Sequence, residues 1–244
     1  MKSIGICIVV PDDIKFSQVV YFIENIVFKI KSSNIVIYIY ANGCDIETKT
    51  YLEQVCNSII SESENPKKVN NFVYSENSIN VYEAFNNLFV LVNEDYICSI
   101  PFGIIVNDDW YFNLLNCYET INLSGIVSIH TGIDNVYYTS TLSEGENLKT
   151  IIKPENEDEP ILGIYFIKTS IVRQIGGFDK NLFNTGCETK EICWRYRKNG
   201  YINYYVTKQN CIDVSNKNNN DIILYKYEEV IKQKNKNKIY KAQF

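Results

Sequence analysis

The stretch "ILGIYFIKTSIVRQIGGFDKNLFNTGCETKEICWRYRKNGY", Ile161 to Tyr201, decides the fold. It opens on an apolar run, Ile161 to Ile167, that reads as a buried strand. Ser170 to Ile175 has the spacing of a short helix. Gly176-Gly177-Phe178-Asp179 then turns sharply, because glycine supplies backbone conformations closed to other residues. Lys190 to Lys198 is amphipathic, and Asn199-Gly200 behind it is a helix stop. Tyr201 to Val206 predicts another strand. Strand, helix, turn, helix and strand in this order belong to an α/β domain.

The N-terminal half carries the same alternation more regularly. Ile4 to Val10 reads as a strand closed by Pro11, Phe16 to Lys31 as a helix, and Ile35 to Ala41 as a strand cut by Asn42-Gly43. Thr48 to Ile60 reads as a helix, Asn71 to Tyr74 as a strand, Val81 to Leu91 as a helix and Tyr96 to Ile100 as a strand. Near-continuous apolar strands separated by helices predict a mostly parallel sheet covered on both faces. Beyond it, Asp109 to Thr120 reads as a helix, and Gly125 to His130 and Asn135 to Thr139 as strands. Glu144 to Pro160 reads as a polar surface loop, and a Lys-rich helix begins at Tyr225. Ligands of such sheets bind at the carboxyl ends of the strands. Three loops therefore matter most: Pro11-Asp12-Asp13, Ala41 to Asp45, and Pro101-Phe102-Gly103. None is a G-x-G-x-x-G or Walker loop, which argues against a dinucleotide oxidoreductase or a P-loop NTPase.

The 244 residues carry 45% hydrophobic and 22% charged side chains, ordinary for a globular protein, and no repeat or linker divides them. A single domain is expected over 1–244, with a nucleotide-binding half (1–106), an acceptor half (107–215) and a Lys-rich tail (216–244). A net charge of −5 argues against nucleic acid as a partner. The eight cysteines are scattered without a C-x-x-C pair, so reduced, partly buried thiols in a cytoplasmic protein are expected. No run is long and apolar enough to span a bilayer. Lys226, Lys232, Lys234, Lys236, Lys238 and Lys241 offer a weak peripheral contact with an anionic membrane surface, or simply a solvated helix end.

The series from Ile161 to Tyr201 resembles the acceptor half of the family-2 glycosyltransferases of the GT-A fold. There a strand leads to an Ile-Gly-Gly-Phe-Asp turn, an acidic pair, a helix bearing an Arg, and Gly-Tyr. The resemblance extends over about Ile4 to Ser215. Ala41-Asn42-Gly43-Cys44-Asp45 stands where the family has Asp-Asn-Gly-Ser and Asp, and "ENSINVYEAFN", Glu76 to Asn86, is similar to its Asn-rich helix start. Tyr96 to Leu115 is similar to its strand, acidic motif, strand, Trp and Leu-Leu series. The resemblance implies a hexosyltransferase-type enzyme that moves a sugar from a nucleotide-diphosphate donor, UDP-linked in one form, to an acceptor hydroxyl. Inversion by single displacement is implied, with a glycan, a lipid-linked sugar or a protein as acceptor.

That chemistry needs a counter-charge for the leaving diphosphate, usually Mg²⁺ or Mn²⁺ on carboxylates, and a carboxylate base for the acceptor hydroxyl. In the resemblance, the metal motif Asp-x-Asp falls on Pro101, Phe102 and Gly103, which bring no carboxylate. The family's acid pair falls on Glu188-Thr189, with Thr189 at the usual base position. The Asp that contacts uracil falls on Ala41, and a late metal-binding His falls on Asp213. No metal ligand is therefore assigned, and Mg²⁺ or Mn²⁺ is expected only if Asp108, Asp109 or Asp213 supplies ligands.

The remaining polar residues each carry two readings. Pro11, Asp12, Asp13, Asn42 and Asp45 either hold a nucleoside or are ordinary turn residues at strand ends. Glu188 is either the catalytic base or a first-turn acid favoured by the helix dipole. Glu191 and Arg195 are either a surface i,i+4 pair or supports that brace the site. Asp108 and Asp109 are better read as helix caps than as displaced ligands, and His130 as a core or edge imidazole. A metal-free transferase would draw on Lys190, Arg195 or Lys208 to neutralise phosphate. The alternative function is an inactive GT-A domain that binds a nucleotide, a glycan or a partner.

Overall fold

The computed structural model describes residues 2–30, 34–58, 68–106, 110–121, 123–129, 151–152, 163–206 and 212–213. The elements run β1 (Ile4–Val10), α1 (Phe16–Phe28), β2 (Ile35–Asn42), α2 (Ile46–Ser58), β3 (Lys68–Ser75), α3 (Val81–Leu91), β4 (Tyr96–Ile100), β5 (Ile104–Ile105) and α4 (Trp110–Thr120). They continue through β6 (Ser124–Ile129), β7 (Ile151–Ile152), β8 (Tyr165–Lys168), α5 (Thr169–Ile175), a 3-10 turn (Lys180–Leu182), α6 (Glu188–Lys198), β9 (Ile202–Val206) and β10 (Ile212–Asp213).

Every residue of β1, β2 and β4 is buried. Their apolar runs do not alternate because both faces of the sheet are covered. The main sheet has the order β3-β2-β1-β4-β8-β6-β9-β7. β1 pairs in parallel with β2 and β4, and β2 with β3. The chain thus steps outward from β1 to β3, then crosses back to place β4 on the other side of β1. Right-handed crossovers put α1 and α2 on one face and α3 on the other. Such a reversal is where open α/β sheets form their ligand crevice, at the carboxyl ends of β1 and β4, and Pro11 and Pro101 follow those two strand ends here.

β8 joins the two halves. It runs antiparallel to both β4 and β6, while β6 pairs in parallel with β9. Phe166 of β8 is fully buried and stacks on Tyr96 with ring centroids 5.0 Å apart. It also meets the edge of the Tyr118 ring.

Several sequence expectations move. α1 stops at Phe28 rather than Lys31. α2 begins at Ile46 rather than Thr48 because Asp45 caps it. β3 begins at Lys68, and the irregular register opposite Ile37 and Tyr38 takes up its Asn pair. β8 begins at Tyr165, not Ile161, and α6 begins at Glu188, not Lys190. The expected loop from Glu144 to Pro160 contains β7, which pairs with β9. Ile104-Ile105, where the resemblance implies a strand after the acidic motif, is β5 and pairs antiparallel with β10 in a separate two-stranded sheet. Asp108, Asp109, His130, Lys208, the strand at Asn135 to Thr139 and the Lys-rich tail lie outside the described residues.

Phe166→Ala removes the ring that binds the two halves, and should lower stability by about 3–5 kcal/mol. Urea unfolding of the whole chain measures this.

Candidate functional site

The floor of the crevice is apolar. Val10, Ala41 and Ile100, near the carboxyl ends of β1, β2 and β4, are each fully buried. Beyond Ile100 the chain turns, and the Ile104 N–H donates to the Pro101 carbonyl at 3.4 Å. Phe102 lies against the Phe22 ring of α1, centroid to centroid 4.5 Å. Gly103 is buried with φ +93°, a conformation that costs other residues about 1–2 kcal/mol. The metal-motif position is thus an aromatic contact followed by a left-handed turn.

β10 places the backbone of Asp213 opposite Ile104, directly beyond the motif. The pairing brings this late residue to the motif position from far along the chain. Among the described residues no group of three His, Cys, Asp or Glu stands where it could hold a metal ion. Proline, phenylalanine and glycine offer no side-chain oxygen to a hard cation, so this motif does not fit Mn²⁺ or Mg²⁺.

The residues of the second loop have structural duties. The Asn42 amide, only 2% exposed, donates from Nδ2 to the Ile79 carbonyl at 2.8 Å. Its Oδ1 accepts from the Ile79 N–H at 2.9 Å. This double bond ties the end of β2 to the segment that enters α3. Cys44 points its thiol at the Val10 carbonyl, 3.2 Å away, and burial pushes its pKa up to about 11. Asp45 accepts from the Thr48 N–H at 2.8 Å, as the N-cap of α2. That hydrogen bond holds its carboxyl below the ordinary 3.8. Asp12 and Asp13 remain exposed beside half-buried Pro11.

The turn from Gly176 to Asp179 is built on a second amide. Asn86 of α3 donates from Nδ2 to the Phe178 carbonyl at 2.7 Å and accepts from the Phe178 N–H at 2.8 Å. Gly177 must be glycine for this approach, since a Cβ there would lie 2.2 Å from Asn86 Oδ1. The Phe178 ring sinks among Tyr82, Phe89 and Tyr165. A third bond, Asn80 Nδ2 to Asn184 Oδ1 at 2.8 Å, spans the same two segments nearer the surface.

Arg195 is not the surface partner that its spacing suggests. Its Nε and Nη2 fork onto the Glu191 carboxylate at 2.6 and 2.8 Å. The other donors reach the carbonyls of Ile175, Gly176 and Gly177 behind α5. All five N–H groups of the guanidinium are engaged, so Arg195 braces the turn and is not a spare cation for phosphate. Glu188 sits in the first turn of α6, 3% exposed. Burial raises the Tyr82 hydroxyl pKa, and the Glu188 charge raises it further, so the two groups lie within electrostatic reach. Thr189 follows, half-buried.

Asn42 was legible as a strand-end turn residue and Asn86 as part of an Asn-rich helix start, but neither as a latch. Their partners lie 37 and 92 residues further along the chain, and no local pattern marks such a pairing.

Asn86→Ala leaves both polar groups of the Phe178 backbone unmet and should cost about 2 kcal/mol. Arg195→Lys, which keeps the charge but not the fork, should cost a similar ~2 kcal/mol; chemical denaturation reads both. Because the Asp45 pKa is lowered on folding, its stabilisation is full above the unfolded carboxylate pKa. It is lost as pH falls through the folded value. Asp45→Asn should therefore flatten the acid limb of a stability-against-pH curve below the ordinary carboxyl range.

No protein-family model and no curated protein matches the sequence. Solved structures do resemble it. GalNAc-T7 with UDP, GalNAc and Mn²⁺ superposes with a TM-score of 0.64 at 12% identity, over 87% of this chain and 44% of that one. The mannosyltransferase PcManGT from Pyrobaculum calidifontis, in complex with GDP-Man and Mn²⁺, gives 0.60 at 10% identity, over 88% of this chain and 58% of that one. The catalytic domain of Drosophila β1,4-galactosyltransferase 7, in complex with xylobiose, gives 0.52 at 13% identity, over 88% and 72%. This chain thus spans about half the length of the first two. Superposition at so low an identity speaks for architecture, and the architecture of this chain is the GT-A glycosyltransferase fold.

Proposed function

We propose that the chain is a hexosyltransferase that moves a sugar from a nucleoside-diphosphate donor to an acceptor hydroxyl. The observation that carries this reading is Glu188. A carboxylate in the first turn of a helix, on a side chain packed into the domain within electrostatic reach of Tyr82, is a candidate base. It stands in the first turn of α6, behind a turn held by Asn86 and Arg195. Glu188 takes the acceptor hydroxyl proton as the oxygen attacks the anomeric carbon. The bond from that carbon to the phosphate oxygen breaks, the nucleoside diphosphate leaves, and the sugar is inverted. Pro11, Asp12 and Asp13 line the nucleoside side, with the backbone around Asn42 and Asp45. UDP- and GDP-linked sugars are the first donors to try, because two of the neighbours were solved with UDP and GDP-Man. A glycan, a lipid-linked sugar or a protein is the acceptor class.

We assign the whole chain to one domain working in the cytoplasm, with weak membrane contact through the Lys-rich tail. The free thiols at Cys7, Cys44, Cys56, Cys98, Cys187 and Cys193 support that compartment. Among the described residues no helix is long and apolar enough to cross a membrane.

A second reading is an inactive GT-A domain that binds a nucleotide, a glycan or a partner. The Phe102 contact with Phe22 and the left-handed Gly103 favour it. Calorimetric titration with UDP-, GDP- and CDP-sugars, followed by a product assay with a panel of glycan acceptors, separates the two. The transferase reading expects a donor to bind, and Glu188→Gln to keep that binding while turnover drops by about 10²–10⁴-fold. Donor binding with no transfer, or transfer untouched by Glu188→Gln, would overturn the role of Glu188.

A further inference from the structure

The resemblance puts a divalent metal at the end of the fourth strand and two of the structural neighbours were solved with Mn²⁺, but the residues at the end of β4 do not suit one. Three observations agree. Pro101, Phe102 and Gly103 present no side-chain oxygen. Phe102, half-buried, is packed on Phe22, so its place is filled by an aromatic contact. The backbone of Gly103, at φ +93°, is one that an aspartate adopts only with strain. The site has therefore not lost its acids by simple exchange, because the surrounding chain is fitted to their absence. Three polar groups of the region are committed elsewhere, Asn42 to Ile79, Asp45 to Thr48 and Arg195 to Glu191 and the α5 carbonyls, while Asp12 and Asp13 follow β1 rather than β4.

We infer that the end of β4 is an apolar plug that holds no divalent cation, so that a nucleotide taken into this crevice binds without Mn²⁺ or Mg²⁺. The ligand in this inference rests on the proposed transferase reading; the plug does not. The physical consequence is that donor affinity owes nothing to a metal bridge between phosphate and carboxylate. The charge of the diphosphate must then be met by main-chain N–H groups, by solvent or by a lysine such as Lys190 or Lys208.

The test uses the full-length chain and two readouts. In calorimetry, a UDP- or GDP-sugar should bind with the same Kd, within about twofold, in MnCl₂ and in EDTA. In electron paramagnetic resonance, the free Mn²⁺ signal in the presence of UDP should be the same with and without the protein. A Kd about tenfold or more tighter in Mn²⁺, or a stoichiometric loss of the Mn²⁺ signal on adding protein, would overturn the inference. If no nucleotide binds in either buffer, the transferase reading falls. The resonance titration, repeated with Mn²⁺ alone, then decides the plug: an unchanged signal supports it, and stoichiometric uptake overturns it. A Phe102→Ala variant guards against a masked site. It should leave the Mn²⁺ signal unchanged, and uptake on removing the ring would show a cation site behind it and overturn the plug.

Discussion

The backbone of Phe178 has its N–H and its carbonyl met by one side chain, the amide of Asn86. Much of the site depends on that pair of hydrogen bonds. Asn86 belongs to α3, which packs on the parallel half of the sheet, while Phe178 belongs to the turn after α5 in the other half. An amide can do this because its donor and acceptor lie side by side with the spacing of a backbone pair. The latch works only where Gly177 leaves room for it. Once the turn is fixed, its carbonyls face Arg195, and Arg195 in turn fixes α6 through Ile175, Gly176 and Gly177. Glu188 stands in the first turn of that same helix. The candidate base is therefore positioned by a chain of polar contacts that begins on α3.

The Asn42 amide does the same work at the end of β2, with Ile79 as its partner. Both latches place a polar side chain where it satisfies backbone groups in irregular segments, which no sheet or helix would satisfy. These amides explain how loops at the crevice stay ordered on an apolar floor. They also limit what the loops can do, since a group spent on the backbone is not free for a ligand.

The electrostatics of the crevice differ from those of a metal-dependent transferase. A hard cation needs several oxygen ligands, and the end of β4 supplies an aromatic contact and a left-handed glycine instead. The nearby guanidinium is neutralised by Glu191 and by helix-end carbonyls. What remains at the mouth is acidic, Asp12 and Asp13, on a chain of net charge −5. Such a surface discourages any ligand that brings many negative charges and no counter-ion. The fold of a transferase and the charge pattern of this crevice pull in different directions.

By itself the sequence determined the element types. Continuous apolar runs of strand length and helical spacing in between were enough for β1, β2, β4, α1 and α3, because burial on both faces writes itself into local pattern. The absence of carboxylates at Pro101 to Gly103 was also plain, since it depends on residue identity alone. Only the tertiary structure decided the rest. The antiparallel course of β8, the pairing of Ile104 with Asp213, and the Asn86 latch all join residues far apart in the chain. Arg195 was legible as an i,i+4 partner of Glu191, but its hold on three carbonyls was not. Side-chain type and local period fix what a segment can form. Which backbone groups remain unsatisfied, and which distant side chain meets them, is settled only when the sheet has brought the segments together.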